Sequence, residues 1–411
     1  MKKLFAFILL ISLCLTIEAQ LDEGVYQGFK VMKMDKNSIP DIINIQVNKL
    51  STAGVTSFSE EKNKPLNGRY HIIIHKYKYI IADFSKGLPH GNWTLYSYNK
   101  EAEKASFKNG KYDGEVHEYY DGHSITTLKE GVMQHHISYH PNGKLKVERF
   151  YENGRLNGEM KEYDNEGKLI REAHYLQGKR NGKYMERNLD GYTSTSNYKN
   201  DVLEGEYVEL FGNGQIAQKG SYDSSGKKTG RWVRYKNDGT LIEDVGYLDG
   251  VYHGEKRSYS QGELSSVTEY EKGKNHGKHI WYYSANPKIK REEKNYVNNE
   301  LEGPTKYYTD KGVLYTEILY KKGKETLTRE FDRNSGTIYA ESTYKDGNII
   351  RKKIYDNKGN LKLLRLVDER GSLVDVQEYN TNGTIIKTNK NYKKPASITV
   401  REDASGIIDI E

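Results

Sequence analysis

From Phe84 to Tyr344 the chain returns again and again to one short pattern: an aromatic residue, two residues, a glycine, three residues and a second glycine. Neighbouring copies are typically 23 or 24 residues apart. A unit that short cannot enclose a core of its own, so each copy must bury its apolar side against the next. The clearest copies open at Tyr151, Tyr175, Tyr247 and Tyr270. Their glycines are Gly154 and Gly158, Gly178 and Gly182, Gly250 and Gly254, and Gly273 and Gly277. Phe84 and Phe107 open two more, with Gly87 and Gly91 in the first and Gly110 and Gly114 in the second. Looser copies open at Tyr198, Tyr222, Tyr296, Tyr320 and Tyr344.

Within a copy the pattern reads as a hairpin. The segment from the aromatic residue to the second glycine is the turn that leads into it. A strand follows the second glycine, as at 159–163 or 206–211, and ends in a turn rich in Asn, Asp and Gly at 164–167, 212–214, 237–239 and 381–383. Such residues tolerate the positive φ of tight turns. The return strand alternates: Leu169, Ala173 and Tyr175 share a face, as do Leu241, Val245 and Tyr247, and Leu314, Ile318 and Tyr320. That two-residue period marks a strand covered on one side. The expected fold is all-β: an elongated, twisted, single-layer antiparallel β-ribbon of tandem hairpin repeats of about 23 residues. Composition agrees. Apolar residues make up 35% of the chain, too few for a thick core, while 35 tyrosines supply the apolar material and only 7 prolines interrupt pairing.

Four segments follow. Residues 1–19 read as a secretory signal peptide: Lys2 and Lys3, an apolar stretch over 4–17, and the small residue Ala19 at the cleavage site. The protein is therefore expected to be exported, to the periplasm, the outer surface or the medium. The single cysteine, Cys14, falls in that leader behind Leu13, which does not suit lipidation, so the mature chain has no thiol chemistry. Residues 20–66 lack the repeat, the array occupies 67–389 beginning with a half-unit at 68–84, and 390–411 form a tail. The net charge of +7 is interspersed along the chain, as a solvated mixed-charge sheet face requires; no nucleic-acid partner is expected.

No nucleophile elbow, zinc-protease helix, phosphate loop or calcium loop occurs, so neither catalysis nor a cofactor is expected. His90, His253 and His276 directly precede the second glycine of a copy, where Asn157, Asn181 and Asp113 stand in others. That exchange is expected of a left-handed turn residue more than of a metal ligand. Strand alternation sets His136 and His140 on one face and His135 on the other, with His117 the nearest help across strands; two ligands are too few for zinc. Glu292 and Glu293 face opposite ways, which rules out a paired acid and base. Trp93, Trp232 and Trp281 follow the second glycine by two to four residues. Most such rings should pack between hairpins, but any that are exposed would suit contact with a ligand or partner. Tyr283 and Tyr308 join them, since one ring of each pair Tyr282–Tyr283 and Tyr307–Tyr308 should point outward.

The units resemble MORN repeats in their bacterial variant, G-x-[YW]-x-x-[YF]-x-x-x-G-x-L followed by Y-x-x-G-x-x-x-G. Gly158, Tyr163, Gly167, Leu169, Tyr175 and Gly178 fit, as do Gly230, Trp232, Tyr235, Gly239, Leu241, Tyr247 and Gly250. The resemblance covers roughly residues 68–389. It implies an all-β ribbon used for protein contacts, scaffolding or association with membrane lipid, and bacterial relatives are often labelled YwqK-family antitoxins. A leader directing export departs from neutralising a cytoplasmic toxin. The functional expectation is a non-enzymatic interaction scaffold whose partner is another envelope protein. The alternatives are a module binding glycan or a phospholipid membrane surface, and an antitoxin or immunity protein.

Overall fold

In the computed structural model, residues 24–33, 43–50, 55–60, 64–75, 77–120, 122–368, 371–390, 401–402 and 408–409 are described. The expected signal peptide and most of the expected tail lie outside these residues. Every regular element among them is a β-strand. The chain divides into two compact units, residues 1–202 and 203–411. Each is an antiparallel ribbon of hairpins in which strands pair with their neighbours in sequence, as the repeat predicts. Leu145–Glu152 pairs with Arg155–Tyr163, which pairs with Leu169–Leu176, which pairs with Lys179–Arg187.

Two kinds of turn alternate. The first glycine of the pattern closes a two-residue turn with both φ values positive, Asn153 at 50° and Gly154 at 73°. This is the turn whose twist matches that of the flanking strands. The other turn is built on an acid: Asp164 Oδ1 accepts from the backbone N–H of Glu166 (3.0 Å) and of Lys168 (2.8 Å). Asp223, Asp356 and Asn380 repeat that arrangement.

The second glycine is not part of a turn, which corrects the sequence reading. Gly91 lies inside the strand Leu88–Ser97, Gly158 inside Arg155–Tyr163 and Gly182 inside Lys179–Arg187. Gly254 lies inside Val251–Ser260, Gly277 inside Lys274–Tyr283, and Gly114 opens Gly114–Glu118. All six have positive φ, between 76° and 122°. Opposite Gly91, Gly158, Gly182, Gly254 and Gly277 the register with the preceding strand slips, as between Ala82 and Phe84 or Ala173 and Tyr175. These glycines are therefore β-bulges, where extra residues on one strand must be taken up by a left-handed backbone that a side chain would strain. On their other side pairing is regular, and the partner is the aromatic residue that opens the next copy. Gly91 faces Phe107, Gly158 faces Tyr175, Gly182 faces Tyr198, Gly254 faces Tyr270 and Gly277 faces Tyr296. Gly114 faces Leu128 instead, where a copy has lost its aromatic residue.

The tight turns also bond to one another. The N–H of Gly87, Gly110, Gly178 and Gly323 donates to the carbonyl of Leu66, Pro89, Leu156 and Leu301 in the copy before, at 2.7–2.9 Å. The next residue of that earlier copy accepts from the other turn N–H: Asn67 from Lys86, His90 from Asn109, Asp113 from Glu130, Asn157 from Gln177 and Glu302 from Lys322. This corrects the expectation for the residue before the second glycine. None of His90, Asp113, Asn157, Asn181, His253 and His276 has a positive φ. At Asn67, His90, Asp113, Asn157 and Glu302 the residue there offers an acceptor atom to the next turn. In the copies with Asn181 and His276 it is instead the preceding residue, Arg180 or Asn275, that exchanges bonds with Asp201 or Asn299 of the next turn.

The apolar interior is a row of cross-strand partners. In the first unit it passes through Tyr70, Ala82, Trp93 and Ala105. It continues through Val116, Thr126, His136, Arg149, Met160, Ala173, Tyr184 and Ser196. All but Arg149 and Tyr184 are buried. Large residues sit two positions after the second glycine and small ones on the return strand. Each large side chain thus leans over a small neighbour, which lets one layer fill its own surface. In the second unit the corresponding row is Tyr207, Gly220, Trp232, Val245, Lys256, Thr268, His279 and Lys294. Tyr207 and Trp232 stack across Gly220 with centroids 5.6 Å apart. The rings of Tyr222, Tyr247, Tyr252 and Tyr270 extend the cluster.

The segment that sequence reasoning left unassigned is also stranded. Gly24–Lys33 pairs with Ile43–Leu50 and, through Val31 and Ile72, with the first strand of the array, Gly68–His75. Phe58 and Leu66, both buried, close over Phe84 and Trp93, and the Phe58 ring lies 5.1 and 6.4 Å from theirs. The thickest apolar cluster of the described residues is therefore at the start of the array.

Candidate functional site

The structure places the five candidate aromatic residues mostly inside. Trp93 and Trp232 are 2% and 4% exposed, held by Phe58, Phe84 and Phe107 in one case and by Tyr207, Tyr222 and Tyr247 in the other. Neither offers a ring face to a ligand, because each is the large member of the interior row. Trp281 is half-buried, stacked on His279 with Lys294 Nζ 5.3 Å from its ring. Tyr283 and Tyr308 are brought together: the Tyr283 hydroxyl donates to the Tyr308 carbonyl at 2.6 Å. No member of the Tyr282–Tyr283 and Tyr307–Tyr308 pairs is exposed, contrary to the alternation argument. Backbone irregularities on both sides of Tyr282 and between Tyr307 and Tyr308 break the simple alternation there.

The rings that do face solvent are others. Tyr77 and Tyr98, 45% and 71% exposed, stack in parallel 5.0 Å apart, with the Tyr98 N–H donating to the Tyr77 carbonyl. Tyr79 and Tyr96 stack behind them at 4.7 Å, and His71 lies against Tyr79. Tyr98 and Asn99 form the tight turn after Leu88–Ser97, with φ of 49° and 58°. A bulky residue in this region is strained by about 1 kcal/mol; the equivalent turn between Val251–Ser260 and Glu263–Glu271 has Gln261 and Gly262 there, with φ of 53° and 85°. An aromatic residue in a turn slot was the sequence signal for this cluster. A second group, exposed Tyr119 stacked on half-buried His123 and His123 on half-buried Tyr139, borders an open cleft of about 450 Å³ lined by His123, Tyr139, His140 and Pro141.

The histidines are dispersed among these groups. His136 is buried and bonded to Thr126 Oγ1 at 2.9 Å; burial, then Arg149 and His135, lowers its pKa to about 4. His135 bonds Glu148, His140 the Tyr163 carbonyl, and His117 pairs with His123 at 3.2 Å. Among the described residues no three of His, Cys, Asp and Glu converge on one point. Glu292 and Glu293 face opposite ways, as expected, and each holds lysines: Lys294 for the first, Lys278 and Lys290 for the second. Glu293 begins an alternating cross-strand row, Glu293–Lys306–Glu317–Arg329–Glu341–Lys353. Its consecutive ion pairs from Lys306 onward lie at 2.9–3.5 Å. Single exposed pairs are weak, but this order avoids like charges on adjacent strands.

One acid is out of place in this pattern. Glu103 is 4% exposed and accepts from the Tyr112 hydroxyl at 3.2 Å, and burial and then nearby Glu118 raise its pKa to about 7. The folded-state value is above the unfolded one, so the neutral acid's stabilisation is complete below about pH 4.3 and is lost as pH rises through 7. His136 behaves oppositely: its share is complete above about 6.5 and lost as pH falls through 4. Glu103→Gln is therefore expected to gain about 2–3 kcal/mol over the parent at pH 8.5 and little at pH 4. Urea midpoints of both proteins across that range measure it; a constant difference would refute the assignment.

No protein-family model matches the chain, and no curated protein matches it. Two of the solved structures that align do so with low similarity. A mutant of Staphylococcus aureus TarM, in complex with fondaparinux, α-GlcNAc-glycerol and UDP, aligns at 14% identity and a TM-score of 0.17, over 31% of this chain and 21% of that one. A mutant Tc holotoxin pore of Photorhabdus luminescens aligns at 11% identity and a TM-score of 0.15, over 92% of this chain and 28% of that one. The chain thus spans about a fifth to just over a quarter of each, and likenesses this low carry no functional argument.

Proposed function

We propose that this protein is an exported, non-enzymatic scaffold that engages a partner protein of the cell envelope through the tyrosine cluster at the start of its array. The observation that carries the reading is Tyr98: a ring 71% exposed, held on a backbone of φ 49° where a small or polar residue would be relaxed. Strain of that kind is kept where a side chain has work to do, and exposed tyrosines suit protein contact because they offer area at little entropic cost. The repeat supports the reading in a second way, since each copy secures its neighbour's turns and leaves outward positions free to vary.

Tyr98→Asn is the informative variant. It restores a residue at ease in the turn and is expected to leave the fold as stable or to stabilise it by about 0.5–1 kcal/mol. Crosslinking capture of the partner from the envelope fraction should drop at least tenfold. Unchanged capture would overturn the reading. The parallel stacks at interplanar angles of 16° and 12° also suit the apolar face of a sugar ring; retention on envelope glycan, lost in the same variant, would move the partner from protein to carbohydrate.

A further inference from the structure

In the second unit Lys352 and Arg365 stand directly opposite each other on the paired strands Asn348–Tyr355 and Leu361–Val367. Both are half-buried, on the face shared by buried Ser342 and by Val376, their next partners outward. Strand alternation sets Ile350, Ile354, Leu363 and Val367 beside them on that face. Neither cation makes a hydrogen bond or ion pair with a described residue. Like charges directly opposite in an antiparallel pair destabilise the sheet, and half-burial removes part of the water that would screen them.

The rest of this face avoids that situation. Lys256 holds Glu243 at 2.8 Å and Lys294 holds Glu292. Glu378, opposite Leu363 and diagonal to Arg365, is taken by Lys387 at 3.6 Å. On the reverse face of the same strands Lys353 is paired with Glu341. Two adjacent, half-buried cations are thus left without a counter-charge among the described residues; Lys108 and Lys111, and Lys321 and Lys324, also stand opposite each other, but exposed at tight turns.

We propose that Lys352 and Arg365 form a binding site for a single oxyanion group of phosphate or sulfate type. Cross-strand partners lie about 5 Å apart at Cβ, close enough for an ammonium and a guanidinium to hold one tetrahedral anion, with Arg365 donating two parallel N–H groups. The apolar neighbours favour an oxyanion borne on an apolar or aromatic group over a free ion. This site is independent of the tyrosine cluster and stands or falls separately.

Calorimetric titration of the purified protein with inorganic phosphate and with phenyl phosphate, against sodium chloride of equal ionic strength, tests it. Binding of phosphate beyond the chloride control is expected. Arg365→Gln and Lys352→Gln should each weaken it at least tenfold, while the unliganded variants melt at or above the parent's temperature because the repulsion is gone. Tighter phenyl phosphate binding assigns an ester as the source, and equal binding assigns the free ion. The proposal is overturned if the parent binds no more phosphate than the control predicts, if the variants bind as well as the parent, or if they melt lower without ligand.

Discussion

Trp93→Ala is expected to destabilise the first copies of the array by about 3–5 kcal/mol, the range for emptying a buried aromatic site. Trp93 is where the N-terminal segment, the first hairpins and the aromatic cluster meet: Phe58 and Phe84 pack on it from one side and Phe107 from the other. Repeat arrays couple mainly to nearest neighbours, so the loss should be local. Hydrogen exchange is the suitable measurement. Amides of Lys78–Ser85, Leu88–Ser97 and Lys100–Lys108 should exchange more than a hundredfold faster, with strands beyond residue 203 unaffected. The indole N–H has no hydrogen-bond partner among the described residues, so Trp93→Phe should cost far less than the alanine variant. Equal losses for both, or a loss spread over the whole chain, would contradict this account.

The second large effect comes from adding a single methyl group. A Cβ on Gly220 would lie 2.1 Å from Cδ2 of Trp232, inside the ring that stacks with Tyr207 across this position. The φ of Gly220 is not positive, so the strain is one of volume and not of backbone. Gly220→Ala is expected to cost about 2–3 kcal/mol and to be partly rescued by Trp232→Leu, which makes room. A double-mutant cycle reads the coupling directly. Additive losses would mean that the indole moves aside at no cost.

The repeat and its hairpins were legible because alternation and turn chemistry are local and recur from copy to copy. Sequence reasoning misjudged positions where a residue's role belongs to the neighbouring copy. His90, Asp113 and Asn157 look like turn formers within their own unit, and only the structure shows their acceptor atoms serving the turn that follows. The second glycines, Gly91 and Gly182 among them, look like turn residues for the same reason. Their bulge is a property of how two strands register, which one strand's sequence does not carry. Trp93 and Trp232 were ambiguous because the sequence does not say that the residue across the strand is Ala or Gly, and that small partner is what lets the ring lie down. Tyr283 and Tyr308 were placed outward by strict alternation, which the backbone irregularities cancel. Tyr98 went unnoticed although its context, an aromatic before Asn99 in a turn slot, was open to inspection. The lone cations Lys352 and Arg365 required register too.

The bonds between successive tight turns have a direction. In the bonds made by the turn N–H groups the donor is on the later turn and the acceptor on the earlier copy: Gly87 to Leu66, Gly110 to Pro89, Gly178 to Leu156, Gly323 to Leu301. At Arg180 and Asn275 the earlier copy's N–H also donates to the later turn, to Asp201 and Asn299. A copy that has already formed presents its carbonyl and its side-chain acceptor before the next turn exists, and the incoming turn needs nothing from the residues after it. Assembly can therefore proceed vectorially, unit upon unit, as a chain emerges with its N-terminus leading. The first such turn, Lys86–Gly87, is served by Leu66 and Asn67 at the threshold of the array, so the acceptors it needs are already in place when that turn emerges.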